Sequence, residues 1–269
     1  MVEHVSAEAL AERVARAPWY QSLRLPGGIV TPGYFDTLAE LARVPFPVSF
    51  EGKRCLDVGT AEGFWAFEME RRGAAEIVAV DVDDEADYDW PGGPSARRRQ
   101  EGGRASLSNF GIAHEALGSS VQRRDLTVYE LTPEVVGEFD FAFMGSLLLH
   151  LKDPVAALAS IARVLRGELL SVDALSPPLT LIHPTQPIAR LEARSMPVWW
   201  VMNLQAYHRL FDAAGLEIVA RGRPFLVKRG AGNADASGGG GSRYRRLRQT
   251  VASRVGNLHA WVSARAPQS

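Results

Sequence analysis

The residues with the clearest chemical potential lie in the stretch LDVGTAEG (56–63) and at a carboxylate further along the chain. The stretch is predicted to end a strand and open a helix. Gly59 and Gly63 let a ligand approach the backbone, and the helix N-terminus offers unpaired N–H groups with a partial positive charge. Asp81 is predicted to end a second strand, where a carboxylate can accept both hydroxyls of a ribose. Together they predict a nucleotide-like ligand at the carboxyl edge of a parallel sheet.

This loop departs from the dinucleotide-binding pattern GxGxxG, because Gly59 is followed by Ala61 and Gly63. Asp57 precedes the first glycine, where a carboxylate would repel a pyrophosphate and suits a ligand with an amino group instead. The loop resembles the first motif, acidic-x-Gly-x-Gly-x-Gly, of the class I S-adenosylmethionine-dependent methyltransferases, with alanine at the middle glycine.

That resemblance implies S-adenosylmethionine as the cofactor and S-adenosylhomocysteine as the product. It implies that Asp81 holds the ribose, that Asp125 and Leu126 face the adenine, and that Gly145 and Ser146 lie against the reacting methyl. Asp125 has an alternative interpretation as a plain loop carboxylate, and Trp65 one as a core residue. The predicted cofactor-binding residues are Asp57, Gly59, Thr60, Ala61, Gly63, Trp65, Asp81, Val82, Asp125, Leu126, Gly145 and Ser146.

The elements that position these residues alternate between strand and helix. Strand 54–59, helix 63–73 and strand 76–82 form a βαβ unit, which implies a parallel sheet with a right-handed crossover. A later helix at 153–167 is predicted to be closed by Gly167. The resemblance implies an α/β fold with a seven-stranded Rossmann-like methyltransferase sheet, helices on both faces and an antiparallel last strand. The segments 216–222 and 224–229 are predicted to form the closing antiparallel pair.

The domain boundaries follow from shifts in composition. Residues 1–49 are predicted to form N-terminal helices and a lid over the cofactor and substrate. Residues 50–229 are the predicted methyltransferase domain, with a proline- and tryptophan-rich cap inserted at 176–202. A flexible linker is expected at 230–242, followed by a basic C-terminal helix or arm at 243–269.

His150 is the predicted catalytic residue, because it follows the fourth strand of the sheet at the edge where ligands bind. An imidazole there can deprotonate a hydroxyl or an amine, while the alternative is a histidine that hydrogen-bonds the next helix start. The residues predicted to line the acceptor pocket come from the lid (Trp19, Tyr20 and Thr31) and from the cap and the helix after it (His183, Trp199, Trp200 and Tyr207).

The charge distribution bears on the acceptor. The net charge is −1, but residues 243–269 hold six arginines and no acidic residue, so the rest of the chain is acidic. An acidic body does not attract a polyphosphate, which favours a small-molecule O or N acceptor. The alternative from a different functional class is a protein that binds the cofactor without catalysing a reaction.

A narrower resemblance is carried by the run from Leu56 to Asp84, by YDWP, by the upstream WY and TPG segments and by WWVMN. It is to the tRNA wobble-uridine methyltransferase-like family, which includes a carboxymethyltransferase. This resemblance implies tRNA as an alternative acceptor, reached through the basic tail. The lysine that pairs with the extra carboxylate in the carboxymethyltransferases is absent from the N-terminal loop here, which favours the ordinary methyl donor.

Other classes are excluded by composition. A single cysteine rules out a disulfide framework and a multi-cysteine zinc site, and no metal site is predicted. No apolar run approaches the ~18 residues of a membrane span, and the N-terminus lacks the apolar core of a signal peptide. The expected location is therefore the cytoplasm.

Overall fold

The computed structural model describes residues 6–84, 87–91, 96–193, 197–233 and 256–267. The helices are α1 (Ala7–Arg16), α2 (Thr37–Leu41), α3 (Phe64–Arg71), α4 (Ala96–Leu117), α5 (Pro133–Val136), α6 (Pro154–Arg163), α7 (Pro177–Ile182) and α8 (Leu204–Ala213). The strands are β1 (Trp19–Gln21), β2 (Gly33–Phe35), β3 (Arg54–Val58), β4 (Glu76–Asp81), β5 (Gln122–Asp125), β6 (Phe139–Gly145), β7 (Leu165–Ala174), β8 (Ala189–Leu191), β9 (Trp200–Met202), β10 (Glu217–Arg221), β11 (Phe225–Val227) and β12 (Asn257–Arg265).

The main sheet has the order β10-β12-β7-β6-β3-β4-β5, and β11 also pairs with β12. The five strands from β5 to β7 run parallel, and β12 is antiparallel to β7, β10 and β11. This confirms the predicted Rossmann-like methyltransferase fold. The strands β3, β4, β5 and β6 end at one edge of the sheet, so the residues predicted to bind the cofactor lie together there.

Strand β12 corrects the interpretation of the C-terminal segment. The segments 216–222 and 224–229 do not pair with each other, because β10 and β11 both pair with β12. The prediction of a basic helix or arm is therefore wrong for residues 257–265, and the domain does not end at residue 229. Alternating buried residues Ala260, Val262 and Ala264 carry the strand periodicity. The rest of the predicted linker and arm, residues 234–255, lies outside the described residues.

The two faces of the sheet carry separate hydrophobic clusters. One is built on α5, α6 and α8 and includes Leu56 of β3 and Phe211 of α8. The other is built on α1, α3 and α4 and includes Cys55 of β3 and Trp65 of α3. Adjacent residues of β3 thus point to opposite faces, as the pleat requires, and the central strands are buried on both sides.

Helix α6 shows how one glycine was misinterpreted. Asp153 caps this helix through a 2.9 Å bond from the Ala156 N–H to its Oδ1, as predicted, with Pro154 in the first turn. The helix ends at Arg163, however, and Gly167 lies within β7. A Cβ at Gly167 would lie 2.0 Å from the carbonyl oxygen of Asp140, so the glycine permits a close approach between strands rather than a helix stop.

The lid and the cap lie outside the main sheet. In the lid, β1 and β2 form a two-stranded parallel sheet and are followed by α2. In the cap region, β8 and β9 form a separate antiparallel pair. Within the described part of the chain, no helix is long and apolar enough to cross a membrane.

Candidate active site

The glycine loop after β3 holds three residues in the left-handed region. The φ angles are +72° at Gly59, +50° at Ala61 and +90° at Gly63. A Cβ at Gly63 would lie 2.5 Å from the Phe67 ring and 2.8 Å from the Phe110 ring. A glycine is therefore needed at position 63, both for the positive φ and because a Cβ has no space there. Gly63 is the N-cap of helix α3, which agrees with the predicted helix start.

Asp57 holds this loop against the start of α3. Its Oδ2 accepts hydrogen bonds from the Thr60 hydroxyl at 2.7 Å and from the Ala66 N–H at 3.2 Å. Burial raises the pKa of Asp57 to about 7, although both bonds act in the opposite direction. Asp57 and Thr60 are almost fully covered. In the structure these two side chains order the loop, and their predicted contact with the cofactor stays a prediction.

Asp81 lies at the carboxyl end of β4, next to the same loop. Its Oδ2 accepts a hydrogen bond from the Ala61 N–H at 2.7 Å, and its Oδ1 accepts one from the Val82 N–H at 2.9 Å. Burial raises the pKa of Asp81, while these two bonds lower it. The loop and the carboxylate predicted to hold the ribose are thus joined directly.

The end of β5 lies beside the end of β4. Asp81 is in register with Asp125. Asp125 is exposed and accepts a 3.0 Å bond from the Asp83 N–H, while the Leu126 N–H donates to the Asp81 carbonyl at 3.1 Å. The residues predicted to face the adenine are therefore adjacent to those predicted to hold the ribose.

A serine–histidine pair lies at the end of β6. Ser146, beside Gly145, has φ +51°, and its Oγ is 3.2 Å from Nε2 of His259 on β12. Nδ1 of His259 is 3.0 Å from the Asn257 carbonyl, which only accepts, so Nδ1 carries the proton and Nε2 accepts from the serine. Burial lowers the pKa of His259 to about 4, so the ring is neutral at pH 7.

His259 was missed by the sequence analysis, since it lies in the segment taken for an arm. The only local signal was the alternation of small apolar residues around it.

Glu62 is a second residue that the sequence analysis missed, and it joins the lid to the glycine loop. Its carboxylate accepts hydrogen bonds from the Tyr20 N–H at 2.8 Å and the Gln21 N–H at 2.6 Å. Gln21 in turn accepts a 3.1 Å bond from the Phe64 N–H at the start of α3. Strand β1 is therefore held directly above the predicted cofactor site.

Two of the residues predicted to line the acceptor pocket, Trp19 and Thr31, are buried inside the lid. The Trp19 indole donates to the Val14 carbonyl at 2.9 Å, and the Thr31 hydroxyl donates to the Gln21 carbonyl at 2.7 Å. These two residues hold the lid together and are 4% and 1% exposed.

Tyr207 and Trp65 are also core residues. Tyr207 is fully buried and donates to the Ser171 hydroxyl at 3.0 Å. The buried Trp65 ring stacks on Phe143 with centroids 4.1 Å apart, which agrees with its alternative interpretation.

The cap reaches the loop that follows β6. The Trp199 N–H donates to the Leu149 carbonyl at 2.9 Å, and His150 is hydrogen-bonded through Nδ1 to the Pro197 carbonyl. Burial lowers the pKa of His150, so this ring also favours the neutral form. The Trp199 indole donates to the Asp89 carbonyl, and the Trp200 indole donates to the Lys152 carbonyl at 3.3 Å. His183 is partly buried and lies further along the cap, after α7.

The sheet order and the glycine loop at its carboxyl edge define the Rossmann-like methyltransferase class of folds. A family described as a methyltransferase domain matches residues 31–221, and the chain belongs to this family.

Two curated relatives are ubiquinone biosynthesis O-methyltransferases. The protein from Hahella chejuensis is 30% identical over 135 residues, which cover 50% of this chain and 45% of that protein. The protein from Marinobacter nauticus is 29% identical over 121 residues, covering 44% and 42%. The matched region thus spans less than half the length of these relatives.

Solved structures share the fold at low identity. The N-terminal domain of EvdMO1 with bound SAH is 17% identical, with a TM-score of 0.59 and coverage of 99% of both chains. The [4+2]-cyclase SpnF is 18% identical, with a TM-score of 0.55 and coverage of 97% of this chain and 93% of that chain. Because a cyclase shares the fold, the fold alone does not determine the reaction.

Proposed function

We propose that the chain is an S-adenosylmethionine-dependent methyltransferase that acts on an oxygen or nitrogen atom of a small molecule. The observation that carries the proposal is the direct contact between Asp81 and the glycine loop at the carboxyl edge of the sheet. The family membership and the curated relatives that act in ubiquinone biosynthesis support the same class of reaction.

The residues at this edge fit the cofactor. Asp81 offers two carboxylate oxygens that now accept only backbone N–H groups, and these oxygens suit the two hydroxyls of a ribose. The glycine loop leaves its backbone and the start of α3 accessible to the methionine part. Asp81, which is half-buried at this edge, adds negative charge that suits a cationic ligand. When bound, S-adenosylmethionine supplies an electrophilic methyl group on a positively charged sulfur.

The protein contributes alignment, exclusion of water and a proton acceptor. Strand β1 is fixed above the loop by Glu62, so the lid covers the reacting region. In this proposal Ser146 would receive the proton of the nucleophile and pass its own proton to Nε2 of His259, which its hydroxyl contacts at 3.2 Å. The sequence-based candidate, His150, would act from the cap side through Nε2, because its Nδ1 is bonded to the Pro197 carbonyl.

The tRNA alternative rests on the narrower resemblance and on the tail. Strand β12 now accounts for residues 257–265, and five of the six tail arginines lie within 234–255. No contact among the described residues favours an RNA substrate over a small molecule. A small-molecule acceptor remains the proposal.

Calorimetric titration with S-adenosylmethionine and S-adenosylhomocysteine tests the cofactor assignment. We expect Asp81→Asn to weaken both affinities roughly 10- to 100-fold, since hydrogen bonds to a charged group contribute about 1.5–3 kcal/mol each. Glu76→Gln is the matched control, because Glu76 starts the same strand and pairs with Arg54. Absence of binding to the wild-type chain, or equal affinity in Asp81→Asn, contradicts the proposal.

A second measurement separates the acceptor classes. Methyl transfer from labelled S-adenosylmethionine to small phenols and amines is compared with transfer to bulk tRNA. If tRNA becomes labelled, and if deletion of residues 234–255 abolishes that labelling, the tRNA alternative replaces the small-molecule proposal. Cofactor binding without transfer to any acceptor would favour the non-catalytic alternative.

A further inference from the structure

A histidine on α8 is buried without a hydrogen-bond partner. His208 is 8% exposed, and neither Nδ1 nor Nε2 of its ring forms a hydrogen bond to a described residue. Every protonation state of an imidazole carries at least one N–H group, so a buried donor is left unsatisfied here. Buried polar groups are nearly always hydrogen-bonded, because an unpaired one costs free energy. His208 therefore points to a ligand that accepts a hydrogen bond.

Two clefts meet at His208. One has a volume of about 480 Å³ and the other of about 360 Å³, and both are lined by Gln205, His208 and Arg221. Gln205 and His208 are three residues apart on α8, so they share one face of that helix. Arg221 ends β10, which is the first strand in the order of the main sheet. The clefts thus lie between α8 and the end of β10.

The smaller cleft is positively charged. The charged residues that line it are both arginines, Arg221 and Arg223. Neither of their side chains forms a hydrogen bond or an ion pair within the part of the chain that the structure describes. Leu204 and Gln205, in the first turn of α8, line the same cleft, and a helix N-terminus adds a partial positive charge. This cleft therefore favours an anion.

The carboxylates of the larger cleft are already paired. The Asp212 carboxylate lies 3.6 Å from Nη1 of Arg209. The Glu217 carboxylate accepts bonds of 3.0 Å and 3.1 Å from Arg265 of β12. These pairs compensate both acidic groups, whereas Arg221 has no carboxylate partner among the described residues. The excess positive charge is therefore located where the two clefts meet.

Gly222 fixes the segment that joins the two arginines. Its N–H donates to the Trp261 carbonyl at 3.1 Å, and a Cβ at this position would lie 2.1 Å from Nε1 of Trp261. Pro224 follows Arg223, and a proline restricts the backbone of the residue before it. The arginines are therefore on a short segment held against β12, which lowers the entropy cost of binding a ligand.

We propose that the start of α8 and the end of β10 bind a phosphate group, either that of a phosphorylated small molecule or the free ion. The His208 N–H and the guanidinium groups of Arg221 and Arg223 would donate to its oxygens. This contact provides the buried imidazole with the acceptor that it lacks. A phosphoryl group offers three acceptor oxygens to these three side chains, whereas a carboxylate offers two.

The phosphate site is separate from the residues assigned to methyl transfer. Strand β10 lies three places from β6, at whose end Ser146 is found, which is about 14 Å at the usual spacing of strands. A phosphate site at this position goes beyond the proposed function. Methyl transfer measured without phosphate should not depend on His208.

Calorimetric titration of the full chain at about pH 7.5 compares phenyl phosphate, inorganic phosphate and benzoate at constant ionic strength. S-adenosylhomocysteine is present throughout, so that the probes do not enter the proposed cofactor site. We expect phenyl phosphate, which is mostly a dianion at this pH, to bind at least about tenfold more tightly than benzoate. Tighter binding of phenyl phosphate than of inorganic phosphate assigns the site to a phosphorylated small molecule, and equal or weaker binding assigns it to the free ion.

Arg221→Gln and Arg223→Gln should each weaken the binding of phenyl phosphate at least about tenfold, because hydrogen bonds between charged groups are strong. His208→Leu removes the unpaired ring nitrogens and should have a similar effect. Arg43→Gln is the matched control, because it removes the same charge at an exposed position after α2. Its affinity should stay within about twofold of wild type.

Thermal unfolding verifies that the four variants fold. Absence of binding by both phosphate probes, or equal affinity for benzoate, overturns the inference. Wild-type affinity in both Arg221→Gln and Arg223→Gln also overturns it, because the ion would then bind elsewhere on the chain. An equal loss in Arg43→Gln has the same consequence, since it would show attraction to the overall charge and not to this cleft.

Discussion

The cofactor side and the acceptor side of the site differ in how their polar groups are paired. On the cofactor side, Asp57 bonds to Thr60 and Asp81 bonds to Ala61, so the loop is held even without a ligand. On the proposed acceptor side, the Ser146 hydroxyl meets His259 of β12, and Glu62 holds β1 through two backbone N–H groups. The first region is ordered by contacts within one short segment, whereas the second depends on contacts between segments that are far apart in the sequence.

The two sides also differ in where they come from in the chain. The cofactor loop and Asp81 lie within 57–81, in one βαβ unit. The proposed acceptor side combines the lid at 19–41 with β12 at 257–265, which are more than 200 residues apart in the sequence. We therefore expect substitutions in β12 to change the acceptor side and the stability of the fold. Substitutions in the glycine loop should change cofactor binding instead.

The largest expected effect comes from β12. This strand separates β7 from β10, and Val262 is fully buried within it. We expect Val262→Asp to lower the free energy of unfolding by more than about 4 kcal/mol, since it buries an unpaired charge. Denaturant unfolding followed by circular dichroism measures the change.

The control for this prediction is Val219→Asp on β10, because Val219 is 46% exposed. It should change stability by no more than about 0.5 kcal/mol. Wild-type stability in Val262→Asp would support the original interpretation of the C-terminal segment as a free arm.

Strand β12 also shows the limit of the sequence analysis. The βαβ unit was predicted because its signals are local: a short apolar strand, a glycine loop and a capped helix follow one another. The pairing of β12 with β7 joins residues that are far apart in sequence, and a glycine-rich stretch at 236–241 precedes the strand. The strand's only local signal is the alternation of small apolar residues, which does not identify the partner strand, and His259 was therefore missed.

The acceptor-pocket residues show the same limit at the level of side chains. Tyr20, Trp19 and Thr31 all have types that suit a pocket, but only the alternation along β1 decides which ones face the core. Trp19 is buried against α1, whereas the Tyr20 side chain lies on the other side of the strand. The depth of each side chain follows from packing, which residue type alone does not determine.

The next effect concerns the proton acceptor. His259→Gln should lower kcat about 10²- to 10⁴-fold, the range for loss of a general base, with the affinity for S-adenosylhomocysteine unchanged. His208→Gln is the control, because His208 is on α8 and lines a separate cleft of about 480 Å³. Steady-state kinetics with an identified acceptor provides the measurement.

His150→Ala is measured in the same series. A large loss of turnover in His150→Ala together with a near-normal His259→Gln would place the base on the cap side. Normal turnover in His150→Ala would remove the sequence-based assignment.

A smaller effect is expected in the cofactor loop. Gly63→Ala introduces a Cβ 2.5 Å from the Phe67 ring at a positive φ. Gly118→Ala is the control, because it also has a positive φ but nothing lies within 4 Å. We expect Gly63→Ala to cost about 1–3 kcal/mol more than the control, the cost of overpacking. If thermal unfolding shows the same loss of stability in both variants, the positive φ alone requires a glycine at position 63, and the space around it does not.

The smallest effect tests whether burial raises the pKa of Glu40. Burial raises its pKa from 4.5 to about 8. Between these values the folded state keeps a proton that the unfolded state has released, so the free energy of unfolding falls as pH rises and levels above about pH 8.

Glutamine does not titrate, and Asp57, Glu62 and Asp173 titrate in both proteins, so their contributions cancel in the difference. Glu40→Gln should therefore gain at least about 1.4 kcal/mol relative to wild type between pH 5 and pH 8.5, the equivalent of one pKa unit. Glu51→Gln, the same change at an exposed position, should show no such gain. A difference that is constant across this range would mean that Glu40 titrates in the folded protein as it does in the unfolded chain, which contradicts a pKa raised by burial.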